Sequence, residues 1–286
     1  MKKSSLIHHI ENLLNDTIIE AHSVGGGCIA QTQILKTGSG QSFFLKQGFS
    51  NSMFLNEANG LKELAKSKTI RVPQVVAAER DFLLLEHITP GRKKPDFFES
   101  FGKAYAEMHR YTHDTFGFYE DNFIGATPQI NAANDKSKNN WTSFYFDNRL
   151  LYQFKLAEQN GYVTEEFRKA FAQIENRIES ILKGSEEPPA LLHGDLWGGN
   201  FMVDDQGEPV LIDPAVYYGH READLAMTKL FGGFTNAFYL NYNAYFPLKE
   251  GYAYRENIYL LYHVLNHLNL FGISYYQQAM KLMKRY

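Results

Sequence analysis

Apolar residues recur along this chain with two different periods, and the change from one to the other falls near residue 90. Residues 1–16 set Leu6, Ile10, Leu13 and Leu14 on one stripe, which predicts an amphipathic helix. The stretch IIEAHSVGGGCIAQTQILKT alternates apolar and polar on either side of a glycine cluster, as a two-stranded hairpin does. SFFLKQG reads as a third strand and carries Lys46. SMFLNEANGLKELAKS returns to helical spacing through Phe54, Leu55, Ala58, Leu61, Leu64 and Ala65, and carries Glu57. VPQVVAAERDFLLLEHI predicts two more short strands around a turn at Glu79–Asp81. Residues 1–87 therefore read as a small sheet of about five strands with one helix inserted after the third.

Beyond Pro90 the spacing turns helical. FFESFGKAYAEMHRYTH, NWTSFYFDNRLLYQFKLAEQNG and EEFRKAFAQIENRIESILK are three helices, the last stopped by Gly184 and the pair Pro188–Pro189. READLAMTKLFGG and the last forty residues are again helical. Asp114 to Asn140 reads as loop, and its polar tract NAANDKSKNN is expected to be mobile. The class is α+β in two lobes, a β-rich one over 1–87 and a larger, mainly helical one over 88–286, with a ligand cleft expected between them.

Composition narrows this picture by exclusion. Hydrophobic residues at 44% and charged ones at 21% describe an ordinary globular protein. The net charge of −3 and a pI near 6.4 argue against nucleic acid or an anionic membrane as partner. No stretch approaches the roughly 20 apolar residues that span a bilayer, and SSLIHHIENLL after Lys3 is no signal peptide. A single cysteine excludes an intramolecular disulfide framework, so the expected address is the cytoplasm. With 18 Tyr and 22 Phe, many of them after Asp96, the helical lobe is rich in rings.

The chemistry concentrates in LLHGDLWGGNFMVDDQGEPVLIDPAVYYGHREADLAM. His193, Asp195 and Asn200 stand in the order His-x-Asp-x-x-x-x-Asn, and Asp213 follows thirteen residues after Asn200. A kinase catalytic loop and its metal-binding aspartate have this spacing. Asp195 is then the base, worth about 10²–10⁴ in rate, while Asn200 and Asp213 offer the oxygens that Mg²⁺ prefers. His193 reads as a prop of the loop rather than a proton carrier, and Asp224 as a tie between the next helix and the loop. Gly25, Gly26 and Gly27 let backbone N–H groups approach ATP phosphates, although most such runs are only tight hairpins. Lys46 would reach the α- and β-phosphates with Glu57 fixing it, and the Glu86 C=O and Ile88 N–H would meet the adenine edge. The fold expected from these motifs is protein-kinase-like.

HGDLWGGN, IDPAVYYGHREADLAM and LFGGF, with GGGCI, FFLK, LLLEHI, FGFYEDNFIGATPQ and LYHVLNHLNLFG, carry a resemblance over nearly the whole chain. They are similar to the fructosamine kinase (ketosamine 3-kinase) family within the aminoglycoside phosphotransferase and choline kinase group. The resemblance implies transfer of the ATP γ-phosphate to the 3-hydroxyl of a sugar ketoamine on a small molecule or a protein, then release of the amine, which is protein deglycation. It implies a sugar-facing role for Trp197, with core packing the alternative, and a pocket role for His267 rather than His263. It also implies a redox-linked dimer through Cys28 as the alternative to a monomer in which Cys28 is a small buried residue. Pro214 after Asp213, and the missing activation segment and catalytic-loop lysine, depart from protein kinases. Two rivals remain, an aminoglycoside- or choline-type kinase and an inactive nucleotide-binding module; a strongly acidic helical lobe would favour the first, and YEDN and YGHREAD are only moderately acidic.

Overall fold

A computed structural model describes residues 5–25, 30–48 and 52–286. Its first part holds α1 (Ser5–Leu14), β1 (Ile18–Val24), β2 (Gln31–Thr37), β3 (Ser42–Gln47), α2 (Met53–Lys66), β4 (Val75–Ala78) and β5 (Phe82–Glu86). The five strands make one antiparallel sheet in the order β1-β2-β3-β5-β4. Strand alternation decides what its two faces carry. Phe43 and Leu45 of β3 join Ile10, Ile18, Leu35, Phe82 and Leu84 in a core beneath α1. Phe44 and Lys46 project to the other face, where Phe54, Ala58 and Leu61 of α2 pack on Leu83 and Leu85. A register slip of one residue would carry Lys46 away from α2.

The remainder is mainly helical: α3 (Phe97–Met108), α4 (Trp141–Tyr145), α5 (Tyr152–Gln159), α6 (Glu165–Leu182), α7 (Arg221–Leu230), α8 (Asn236–Tyr245), α9 (Tyr252–Phe271) and α10 (Tyr276–Met283). A π-helical turn, Phe146–Leu151, joins α4 to α5. Short antiparallel ladders interrupt the helices: β6 (Asn122–Ile124) with β7 (Thr127–Gln129), β8 (Ala190–Leu192) with β11 (Tyr217–Gly219), and β9 (Phe201–Val203) with β10 (Pro209–Leu211). Tyr259, Tyr262 and Leu265 of α9 sit in the core that α4, α5 and α6 close. Phe97, Phe101 and Tyr105 of α3 pack with Phe238 and Tyr242 of α8 in another. Among the described residues no helix is long and apolar enough to cross a membrane.

Two stretches add to the sequence reading. The tract NAANDKSKNN is folded back on the lobe: Asn131 and Ser137 are fully buried, and the Asn134 side chain accepts from the Lys136 and Ser137 N–H groups. The Asp121 carboxylate accepts from Asn131 N at 2.7 Å and Ala132 N at 3.0 Å. Such local polar contacts leave no periodic signal in sequence. Residues 236–245 are also helical although no stripe announced them, since α8 buries only Phe238 and Tyr242.

Candidate active site

Lys46 lies almost wholly buried on the inner face of β3, and its ammonium donates to Glu57 Oε1 at 2.6 Å and to Asp213 Oδ1. Burial alone would lower the lysine pKa, but the two carboxylates more than offset it, so the ammonium is held charged. Burial raises the Glu57 carboxyl against the pull of Lys46. Asp213 is the exposed member of the trio, with 45% of its side chain open to solvent. It is also one of three described non-glycine residues at positive φ, at 53°.

The catalytic-loop candidates stand against this trio. Asn200 donates through Nδ2 to the Asp195 carbonyl at 2.8 Å and to Asp195 Oδ2 at 3.2 Å. The segments of Asn200 and Asp213 are zipped together by Ile212 N donating to Asn200 O and Ala215 N to His193 O. Burial, and then repulsion by Asp213, raise the half-buried Asp195 carboxyl well above its ordinary range. His193 is fully buried; Asp195 N donates to its Nδ1, so Nε2 carries the proton and donates to Ile212 O at 3.0 Å. It braces the loop. Asp224 accepts from His193 N at 2.7 Å, Gly194 N at 2.8 Å, the Tyr105 hydroxyl at 2.6 Å and His109 Nε2 at 3.3 Å. Burial would raise Asp224, yet these donors, His109 foremost, hold it below the usual carboxylate range. Gly194 turns the chain at φ +83°, where a Cβ would lie 2.0 Å from Ala215 O.

An aromatic wall leads away from Asp195. The Trp197 indole lies over Gly199, whose missing Cβ would meet the ring at 2.3 Å. Trp197 meets Phe231 edge-on with centroids 5.6 Å apart, and Phe231 lies 4.9 Å from the His267 ring. His267 touches Phe271 and Tyr275 in turn. Trp197, Phe231 and Phe271 are 37%, 43% and 54% exposed, which is a large aromatic surface to leave in water without a ligand. His267 Nδ1 donates to His263 O at 2.7 Å, which leaves Nε2 as a lone-pair acceptor; burial lowers its pKa and keeps it neutral. His263 is buried and its Nδ1 has no partner among the described residues.

Of the other anticipated residues, Gly25 is described and open, while Gly26, Gly27 and Cys28 lie outside the described residues. Ile88 is buried beyond the end of β5, and Glu86 turns its carboxylate to Arg71. Arg71 also donates to Asp204 at 2.9 Å, bridging the connection between α2 and β4 to the β9–β10 hairpin. Sequence reasoning passed over Phe231, Tyr105 and His109, and also Asn122 and Gln129. Phe231 stood in the quoted LFGGF run, and the two amides in FGFYEDNFIGATPQ, but no spacing rule marks side chains that meet only in space.

The model of the fructosamine kinase family matches residues 2–286. A Synechocystis sp. protein named as a probable ketoamine kinase is 42% identical over 276 residues, spanning 94% of this chain and 90% of its own. The chloroplastic protein-ribulosamine 3-kinase of Arabidopsis thaliana is 40% identical over 278 residues, spanning 94% and 83%. A crystal structure from Thermobifida fusca, provisionally named a fructosamine-3-kinase, superposes with a TM-score of 0.89 at 30% identity and covers 98% of both chains. An aminoglycoside phosphotransferase (12% identical, TM-score 0.68, 99% and 96% covered) and a choline kinase from Streptococcus pneumoniae (16%, 0.66, 98% of each) share the protein-kinase-like fold.

Proposed function

The chain belongs to the fructosamine kinase family, and from that premise we propose an ATP-dependent kinase that phosphorylates a sugar ketoamine on its 3-hydroxyl. One observation carries the assignment of roles: Lys46 and Glu57 of the sheet lobe join Asp213, itself tied through Ile212 to Asn200 and Asp195. Asp195 accepts the hydroxyl proton as the acceptor oxygen bonds to the γ-phosphorus and the bond to ADP breaks. Lys46 offsets phosphate charge, held in place by Glu57.

The oxygen set suits Mg²⁺. Asn200 spends its Nδ2 on Asp195, leaving Oδ1, and exposed Asp213 has one oxygen on Lys46 and a second beside it. One or two protein oxygens completed by phosphates and water is the usual Mg²⁺ arrangement. When bound there, the ion would offset charge on the transferring phosphoryl group. The Glu86 C=O and Ile88 N–H would receive adenine, and the glycine run from Gly25 the phosphates. Trp197 would lie against the apolar face of the ketoamine chain, with Phe231 behind it and His267 Nε2 accepting from an acceptor hydroxyl.

The test is ADP release against fructosamine, ribulosamine, erythrulosamine and psicosamine adducts of lysine, with choline and an aminoglycoside as controls. Turnover of at least one ketoamine and of neither control is expected. Inactivity on every ketoamine with turnover of a control overturns the assignment.

A further inference from the structure

The hairpin of β6 and β7 takes no part in the transfer just described, yet its polar side chains reach elements that do. Gln129, 1% exposed, donates through Nε2 to Ala215 O and to Asn122 Oδ1, both at 2.9 Å, and accepts through Oε1 from the Tyr262 hydroxyl at 2.8 Å. Asn122, 4% exposed, donates to Val216 O at 2.7 Å. Two buried amides thus grip the backbone two and three residues beyond Asp213. Just before β6, the Asp121 carbonyl accepts from Asn56 Nδ2 at 3.2 Å and the Glu120 carboxylate from Asn59 at 3.0 Å. Asn56 is the neighbour of Glu57 in α2. The hairpin tip at Gly125 lies against Leu270 of α9, the helix that carries Tyr262 and His267.

Asp213 needs such support. A non-glycine residue in the left-handed region is strained and persists only where its surroundings over-determine it. The helix bearing Glu57 needs it too, because displacement of this helix inactivates protein kinases. This chain lacks the activation segment that sets that helix there. Gly60 packs on Val216 and Pro214, and Tyr218 donates to Glu63 at 2.8 Å, so α2 rests on the same segment that Asn122 and Gln129 hold.

We propose that Gln129 and Asn122 are positioning residues that fix Asp213 and α2 together, keeping the metal and phosphate side of the site permanently assembled and tying it through Tyr262 to the acceptor helix α9. The inference rests on the kinase reading of Asp213. Its rival is that these amides merely satisfy buried polar groups. Gln153 supplies the control: it is equally buried, bonded to Asn266 at 3.2 Å and Asn269 at 2.8 Å, and has no link to Asp213.

Gln129→Leu, Tyr262→Phe and Gln153→Leu are compared, per folded molecule, for the Mg²⁺ dependence of ADP release and for calorimetric ADP binding with and without Mg²⁺. Gln129→Leu is expected to raise half-saturating Mg²⁺ by about tenfold or more, the range seen when a group supporting a metal ligand is lost. Its ADP affinity should weaken only when Mg²⁺ is present, and its acceptor KM should hold. Tyr262→Phe should shift the same quantities less, and decides the matter if Gln129→Leu does not fold. Gln153→Leu should melt earlier with its Mg²⁺ requirement unmoved. Unchanged Mg²⁺ dependence in Gln129→Leu or, failing its folding, in Tyr262→Phe defeats the inference, as does an equal shift in Gln153→Leu. A wild-type protein inactive on all ketoamines defeats the kinase reading instead.

Discussion

Asp195 lies half-buried near Asp213, and burial followed by that repulsion raises its carboxyl well above the carboxylate range. Its proton is therefore held more tightly in the fold than in the unfolded chain, so stability is lost as pH rises from the ordinary carboxylate value of about 4 through the folded value, and the loss is constant above it. Asp195→Asn removes the buried charge while keeping an oxygen for Asn200. It is expected to raise Tm at pH 8 by about 2 °C or more, with the gain vanishing near pH 4, and to reduce turnover by about 10²-fold or more. Paired melts and rate assays check both. In the parent enzyme the acid limb of kcat/KM is expected above the ordinary carboxylate value of about 4, because protonated Asp195 is no base. Asp195, Asn200 and Asp213 were legible because a single short segment supplies all three. Phe231 was not, because its partners Trp197 and His267 lie 34 and 36 residues away.

The loop between β8 and β9 works as one piece with the turn after α7. Gly198 and Gly233 bring their backbones together, since a Cβ on Gly233 would stand 3.0 Å from Gly198 Cα. An added methyl at Gly199 would strike the Trp197 indole. Gly199→Ala is accordingly expected to raise acceptor KM about tenfold, equivalent to ~1.4 kcal/mol, while ATP KM stays within about twofold. Initial-rate kinetics in both substrates checks it. Asp224 anchors the same loop from α7, and hydrogen bonds to a charged group contribute about 1.5–3 kcal/mol each. Asp224→Asn should lower Tm by about 5 °C or more and reduce kcat, read by calorimetry and rate. The long helices were legible because several turns repeat a stripe. The strands β6–β11 were not, each being three residues long and less than two full periods.

Burial lowers the pKa of His109, His193 and His220, and takes His263 down to about 3. The unfolded chain takes up protons at these rings below about 6.5, where the fold keeps them neutral. Stability should therefore fall as pH drops below 6.5, by about 1.4 kcal/mol per pH unit for each ring until its folded value is reached. Urea midpoints at pH 7.5 and pH 5 test this, and equal midpoints would count against the buried neutral rings. The sequence by itself determined the two-lobe plan, the strand and helix order of the first lobe, and the identity of the acid, amide and lysine groups. Those follow from periodicity and from chemistry carried within short segments. Only the tertiary structure decided which distant groups meet: Lys46 with Asp213 across 167 residues, Asp224 with the loop before it, and the amides of β6 and β7 with the backbone after Asp213. Contacts of that kind depend on packing and on the pairing of buried polar groups. Neither leaves a local pattern for a sequence to display.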